Sequence, residues 1–599
     1  MNGIPPFSLS IVENMEDANN FLRWLNERRQ FLAVDTETEG FDWWVDRLRT
    51  VQFGDTQHGW CIEHERWSGL IEEALSKYDQ PIVMHNAKFD MHFLEHAGYT
   101  VKRWLIHDSR VMAHLCNTAL LSGLKPRSIK ELGPYAGWGK DELDAAMAGG
   151  GFTFKTVPVQ LLWQYAAFDT VLTARLAEKL WAQMEPYRRI YDIELAVGQV
   201  LLDMETNGAR LDLDYVGRTQ AQWEREIDQY TDWLKDQGIS NPTSRQQLGY
   251  ALQREGVQFV EWTASGNPKL TKDILKSLQH PIAKVASRLF QLTKWRTTYL
   301  TSLATLGSHG YVHCGINPIG ARTGRMSVSR PPLQQLPRSA EIRNCFVARE
   351  GNQLLLADYD QVEMRILAHF SQDPSMLEAI RKGDALAAQG VEGWDLHSAN
   401  ARKLFNVPDN ELPQKQQRQL VKTAGFALIY GAGINQFSAT AGVDVQTGQA
   451  FLSNYGRAFP GVGQFTRHVE QTLAERAGGR FSNKSGYVSS PFGRKHMVEM
   501  QYAYRGVNYL IQGTAADVMK AQLVKLASSG LTPYMILPIH DEVMFDVPRE
   551  LIDDVKQTVL DVMPDRENFA VDLTCDAVVV DRWGDKYSYI VENEIDFNE

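Results

Sequence analysis

Apolar residues come in short runs over the first hundred positions and in longer, helix-spaced stretches after them. Residues 31–36, Phe-Leu-Ala-Val-Asp-Thr, are an apolar run closed by polar residues, which predicts a buried strand. Residues 48–53 and 60–62 read as its neighbours, followed by a helix near 68–77, a strand at 81–86 and another helix. Three strands, helix, strand, helix is a mixed α/β order. Gly149-Gly150-Gly151 predicts a loop, and 159–181 one long helix with an apolar face. From about 187 to 306 the pattern is helical and polar, broken at Asn207-Gly208 and Ser265-Gly266-Asn267-Pro268. Short strands return after Tyr311, and 353–357 is an apolar strand that delivers Asp358. Residues 413–430 predict a helix with Pro413 in its first turn. Residues 534–540 and 542–547 read as a hairpin with His540-Asp541 at the turn, and no internal repeat or low-complexity tract interrupts the chain.

At 599 residues the chain is too long for one core, so three or four domains or subdomains are expected. No run of 18 or more apolar residues predicts a membrane span. Residues 1–20 hold no basic residue and no apolar stretch of the signal-peptide kind. Five scattered cysteines, Cys61, Cys116, Cys314, Cys345 and Cys575, lack metal-ligand spacing and fit a reducing compartment. The net charge of −11 speaks against a nucleic-acid binder only until metal-binding acids are allowed for, because DNA needs only a local basic face.

Two acidic segments lie far apart: Asp358-Tyr359-Asp360-Gln361-Val362-Glu363 and His540-Asp541-Glu542. Between them Arg418, Lys422, Phe426 and Tyr430 recur every four residues, a slowly winding stripe on one helix. Two cations followed by two aromatics suit phosphates at one end and a base at the other. Acid, basic helix, acid is the layout of a nucleotidyl transferase, with Asp358 and Asp541 able to share two divalent metals about 3.5–4 Å apart. Mg²⁺ suits such a site because it keeps its waters and takes few carboxylates. Each segment alone reads more readily as surface acids, or as a helix with snorkelling cations and core aromatics. Upstream, Asp35 and Glu37 share a strand face, Asp90 opens a helix after Asn86, and Tyr165 and Asp169 share a helix face. Together they could hold two metals and an attacking water oriented by the tyrosine; singly each is a solvated acid.

In combination these segments resemble the family A, DNA-polymerase-I-like DNA polymerases, over nearly all of the chain. Asp358 to Arg365 is similar to the family's DYSQIELR, Arg418 to Gly431 to its second motif, and His540-Asp541-Glu542 to its third. Thr323-Gly324-Arg325-Met326-Ser327 is similar to TGRLS, and Gln512 to Asp517 to QGTAAD. Asp35-Thr36-Glu37, Asn86-x3-Asp90 and Tyr165-x3-Asp169 resemble the DEDD-type 3′–5′ exonucleases with tyrosine in the last motif. The resemblance implies an RNase H-like exonuclease domain (1–186) and then a right-hand polymerase. Its helical thumb would span 187–310, an antiparallel palm 311–371 and 501–599, and helical fingers 372–500. It implies metal ligands at Asp358, Tyr359 and Asp541, with Glu542 beside them, and at Asp35, Glu37 and Asp169, with Asp90 and Tyr165 also catalytic. Two Mg²⁺ per site are implied, with Mn²⁺ as substitute. Arg418, Lys422 and His397 would hold the triphosphate, and Lys422 would also protonate pyrophosphate. Phe426 would stack on the incoming base, Tyr430 guard the templating base, Glu363 crowd the sugar 2′ position, and Tyr359 and Gln361 line the nucleotide site. Arg325, Gln512 and Asn508 would touch DNA, the first two in the minor groove.

The sequence departs from the family at Gly425-Phe426-Ala427, at Pro332-Leu333-Gln334-Gln335-Leu336-Pro337, and at Tyr504-Arg505, where the family has Arg four residues before Asn. A 5′-nuclease domain is expected to be absent, as in bacteriophage-type members. The expected partners are primer-template DNA, dNTPs and a single-stranded 3′ end, for a monomer in the cytoplasm of a bacterial or phage-infected cell. Two other readings stand beside this one. An RNase-D-like RNA exonuclease with an accessory domain explains Asp35, Glu37, Asp90 and Asp169 but not Asp358, Lys422 or Asp541. A nucleic-acid clamp on a decayed polymerase leaves the intact acids unexplained.

Overall fold

The short apolar runs near the start build one mixed sheet. In the computed structural model, β1 (Ser8–Ile11), β2 (Leu32–Thr38), β3 (Leu48–Gly54), β4 (His58–Glu63), β5 (Ile82–Met84) and β6 (Ile106–Asp108) are ordered β1-β4-β3-β2-β5-β6. Helix α1 (Ala87–His96) follows β5, and α2 (Val159–Trp181) packs across β2, β3 and β4. The structure describes residues 6–391, 394–408, 411–431 and 433–587, without the side chains of 142, 273, 426 and 428–430. The aromatic side chains expected at Phe426 and Tyr430 therefore lie outside the described residues.

Four expectations about elements change. Strands β1 and β6 are additional: Ser-Leu-Ser-Ile is a half-exposed edge and Ile-His-Asp is only three residues, so neither makes a long apolar run. The helix expected from 68 begins at His64. Gly149 and Gly150 end a helix, Lys140–Gly150, and Gly151 closes it with φ +66°, so the glycines are a helix stop rather than a loop. The central helix begins at Lys415, leaving Pro413 ahead of its first turn.

The rest of the chain is built around an antiparallel sheet. Helices α3 (Arg188–Asn207), α4 (Leu213–Asp236) and α5 (Pro281–Trp295) come first. Strand β7 (Asn352–Tyr359) is followed by α6 (Val362–Ser371), α7 (Leu396–Phe405) and α8 (Lys415–Tyr430). A hairpin, β8 (Ser485–Ser489) and β9 (Lys495–Glu499), precedes α9 (Gly506–Leu526). Strands β10 (Met535–Ile539), β11 (Glu542–Pro548) and β12 (Cys575–Val580) complete a sheet ordered β10-β11-β7-β12. Helix α9 is buried nearly all round, as expected of a helix without a single apolar stripe. Helix α3 packs against α9 and β10 and also against α1, joining the two halves.

Candidate active sites

Strand register brings the separated acids of the second half together. In the β7–β11 pairing Asp358 stands opposite Glu542, and in the β7–β12 pairing it stands opposite Asp576. Directly opposed residues share a face about 5 Å apart, so three carboxylates lie abreast across three strands. Asp541 sits at the β10–β11 turn, where His540 takes φ +59°, and its carbonyl accepts a hydrogen bond from the Tyr359 N–H at 3.2 Å. Burial, and then the charge of Asp358, push the Asp541 carboxyl up to about 7. Burial also raises Glu542, against the pull of Lys586. Lys586 Nζ is paired with Glu542 and lies 3.4 Å from Asp358 Oδ2. The Tyr359 hydroxyl donates to the Met563 carbonyl at 2.5 Å, so its phenol points away from the acids and only its main chain borders them. Gln361 precedes α6 with φ +48° and donates to Asp360 at 3.0 Å.

The basic helix α8 packs against α7 and α9. Arg418 Nε donates to Asp395 Oδ2 at 3.0 Å, and Asp395 caps α7 through the Ser398 N–H. His397, on the first turn of α7, is buried, and burial lowers its ring to about 4. Burial, then Arg418 and Arg338, lower Lys422 below the ordinary lysine value. Arg418 and Lys422 both act on the His397 ring, so the three side chains lie near one another. Arg325 is bonded to Glu363, and it lines a small hollow with Tyr359, His540 and Asp541. Gln512 and Asn508 lie on α9, where Gln512 is almost buried. Tyr504, which stands where the family pattern has Arg, packs against Gly431, the residue after Tyr430. Gly425 lies against Met364 of α6, which a larger side chain would displace.

The first half gathers its own acids. Asp35 and Glu37 lie on β2, Asp90 in the first turn of α1, and Tyr165 and Asp169 on α2. Asp90 Oδ1 accepts hydrogen bonds from the Thr36 N–H at 3.0 Å and the Thr36 hydroxyl at 2.7 Å. Burial, then Asp90, Glu37 and Asp169, drive Asp35 well above the carboxylate range. Burial, then Asp169 and Asp90, bring Glu37 to about 8, and burial brings Asp90 to about 7. Burial and then Asp169 raise the Tyr165 phenol, which stays protonated.

Four residues outside the sequence expectations belong to these sites. Lys125 is paired with Asp169 and lies 4.6 Å from the Tyr165 ring centre. Lys586, Arg338 and Asp576 border the second site. None stands in a patterned segment; only the register of β12 singles out Asp576.

Among the described residues no three acid, histidine or cysteine side chains converge at metal-ligand spacing. The donor chemistry nonetheless suits a hard divalent cation. Both clusters are oxygen-only, burial and then neighbouring acids raise Asp35 and Asp541, and the buried Glu542 Oε1 has no hydrogen-bond partner among the described residues.

Comparison with known proteins identifies the family of each half of the chain. The sequence model of DNA polymerase family A matches residues 213–585, and a 3′–5′ exonuclease model matches residues 9–185. The DNA polymerase of Mycobacterium phage D29 is 30% identical over 582 residues, covering 91% of each chain. DNA polymerase I of Chloroflexus aurantiacus is 32% identical over 532 residues, covering 83% of this chain and 54% of that one. The polymerase domain of Pol1 from M. smegmatis, solved with DNA primer-template and dNTP, shares the fold with a TM-score of 0.77 at 23% identity, over 96% of this chain and 99% of that one. The match over 213–585 disposes of the RNase-D-like reading. The chain belongs to DNA polymerase family A: it is a DNA-directed DNA polymerase with a 3′–5′ exonuclease domain ahead of the polymerase domain.

Proposed function

We propose that template-directed addition of dNTPs to a primer 3′-hydroxyl takes place at the β7–β11 edge, and proofreading at the acids of β2, α1 and α2. The observation that carries the first assignment is register: Asp358 and Glu542 are paired across β7 and β11, with Asp541 tied to Tyr359 by a main-chain hydrogen bond. Asp358, Asp541 and the Tyr359 carbonyl would hold Mg²⁺, or Mn²⁺ in its place, and Asp35, Glu37 and Asp169 a second set; bound there, the cations lower the cost of ionising the attacking hydroxyl and of charge on the leaving group.

The remaining work falls to the protein. Arg418 and Lys422 bind the triphosphate as charges, whereas His397, neutral at pH 7, binds it as a hydrogen-bond donor. Lys422, with its proton loosened by burial and by Arg418, hands that proton to a pyrophosphate oxygen as the α–β phosphoanhydride bond breaks. Phe426 and Tyr430 are assigned the incoming and templating bases, and Glu363 the 2′ face of the sugar. In the exonuclease site the Tyr165 hydroxyl orients the water that attacks the terminal phosphodiester, and Lys125 offsets the charge on Asp169. The domain limits follow as 1–186 exonuclease, 187–310 thumb, 311–371 and 501–599 palm, and 372–500 fingers, in a monomer that engages primer-template DNA and a single-stranded 3′ end. Among the described residues no helix is long and apolar enough to cross a membrane.

Primer extension with single-strand degradation tests both sites. Asp541→Ala should abolish extension and spare degradation, and Asp35→Ala with Glu37→Ala should do the reverse. Near-parental extension by Asp541→Ala would remove the first assignment, and parental degradation by the double variant the second.

A further inference from the structure

Two glycines of the sequence motifs have no part in the chemistry of either site. They are Gly324, between Thr323 and Arg325, and Gly513, directly after Gln512. Each has a specific neighbour. A Cβ built on Gly324 would meet the Arg494 guanidinium carbon at 2.8 Å, and one on Gly513 would meet His496 Nε2 at 2.1 Å. His496 is the second residue of β9 and Arg494 stands immediately ahead of the strand, two residues before it. Both are fully buried. Arg494, just ahead of β9, and His496 within it thus stand between the Thr323–Arg325 loop and helix α9, and each motif is glycine where it meets them.

Arg494 is held rigidly. Its Nε donates to Asp517 Oδ1 at 2.7 Å, its far nitrogen bonds Glu194 of α3, and Ser490 donates to Asp517 Oδ2 at 2.6 Å. Lys520 Nζ also bonds Glu194, so two cations and two carboxylates close a neutral, wholly buried cluster. The loop is fastened to the same strand from the other side, where Arg322 donates to the Met497 carbonyl at 3.3 Å and to Glu499 at 2.9 Å.

We infer that Arg494 and His496 are positioning residues that set the spacing between Arg325 and Gln512, and so the register in which this pair meets the minor groove at the primer end. The inference rests on the minor-groove roles that the family resemblance implies for Arg325 and Gln512. Neither Arg494 nor His496 touches substrate; both act through the neighbours of residues that would.

The test is insertion of the next nucleotide by the full chain on two primers, one ending in an ordinary purine and one in its 3-deaza analogue, which lacks the minor-groove acceptor N3. Arg494→Lys keeps the cluster neutral but removes the flat group from beside Gly324. It should lower kcat/KM about a hundred-fold on the ordinary primer, the scale of a 1 Å misplacement, and leave the ratio to the parent close to one on the 3-deaza primer. Gly513→Ala should show the same dependence on the primer terminus, and His496→Ala added to it should restore insertion, which guards against a variant that merely misfolds. Equal losses on both primers would overturn the proposal, because a general structural defect cannot sense one base atom. Arg325→Ala is the reference. If it is indifferent to the 3-deaza change, the minor-groove role itself has failed; if it responds and Arg494→Lys does not, the positioning role alone has failed.

Discussion

Replacing Glu205 with leucine should unfasten the exonuclease site from the polymerase. Glu205 lies near the end of α3, where Oε1 accepts from Lys88 Nζ and the Ile316 N–H and Oε2 meets His92 Nε2 at 2.5 Å. Burial opposes its charge, but Lys88 and the bonds from His92 and Ile316 hold its carboxyl below the ordinary value. Its side chain is 2% exposed and that of Lys88 13%. Removing one partner of a buried ion pair costs about 3–5 kcal/mol, and an orphaned main-chain N–H adds about 1–3 kcal/mol. The partial exposure of Lys88 lets its ammonium reach water, which brings the expected loss to about 3–4 kcal/mol, or a fall of roughly 10 °C in the Tm of a domain of this size. Lys88 and His92 flank Asp90 on α1, so degradation of single strands should fall at least about tenfold while matched-primer extension stays within about twofold. Calorimetry with both activity assays measures this. Lys88→Leu added to Glu205→Leu should recover more than half of the stability, since two apolar partners replace an orphaned charge. A loss below about 1 kcal/mol, or equal damage to both activities, would refute the reasoning.

Three further outcomes follow from the sites. Glu363→Ala should raise the kcat/KM for ribonucleotides relative to deoxynucleotides by about a hundred-fold, the size of a removed clash of a few kcal/mol; an unchanged ratio would dismiss Glu363 as the sugar gate. His496 is fully buried and its ring is depressed from 6.5 to about 3, so below pH 6.5 the unfolded chain takes up a proton that the folded one refuses. The contribution is intact above pH 6.5 and is lost on acidification, by about 2 kcal/mol at pH 5, so the drop in denaturant stability from pH 7 to pH 5 should be smaller by that amount in His496→Gln. A chelator should stop extension and degradation together, and added Mg²⁺ should restore both in one titration.

What could be read from the chain beforehand depended on locality. Asp358 was legible because an apolar strand runs straight into it, and Asp541 because two strand-like runs meet there. The stripe from Arg418 to Tyr430 was legible because helical spacing is a sequence property. Lys586, Lys125 and Arg338 were not, since each reaches its acid or cation from a distant segment that carries no pattern of its own. The glycines at 149–151 misled because glycine marks a helix end as readily as a loop, and only the backbone at Gly151 distinguishes them. Gly324 and Gly513 could be quoted as letters of a motif, but their reason lies in and just ahead of β9, some 170 residues from the first of them.

Helix α3 serves both halves of the molecule: Glu194 fastens it to α9, and Glu205, eleven residues on, fastens it to α1. At 1.5 Å per residue those anchors are about 16 Å apart along a continuous rod. Such a rod would work as a ruler that keeps the two proposed chemistries apart. If the two sites are those proposed, the strand would have to make the journey, and fraying of the primer end would time the decision. Mispaired ends embedded in strongly stacked, G·C-rich duplex should therefore escape excision more often than equally mispaired ends in A·T-rich duplex, a difference that single-turnover degradation would resolve and that should vanish on single strands.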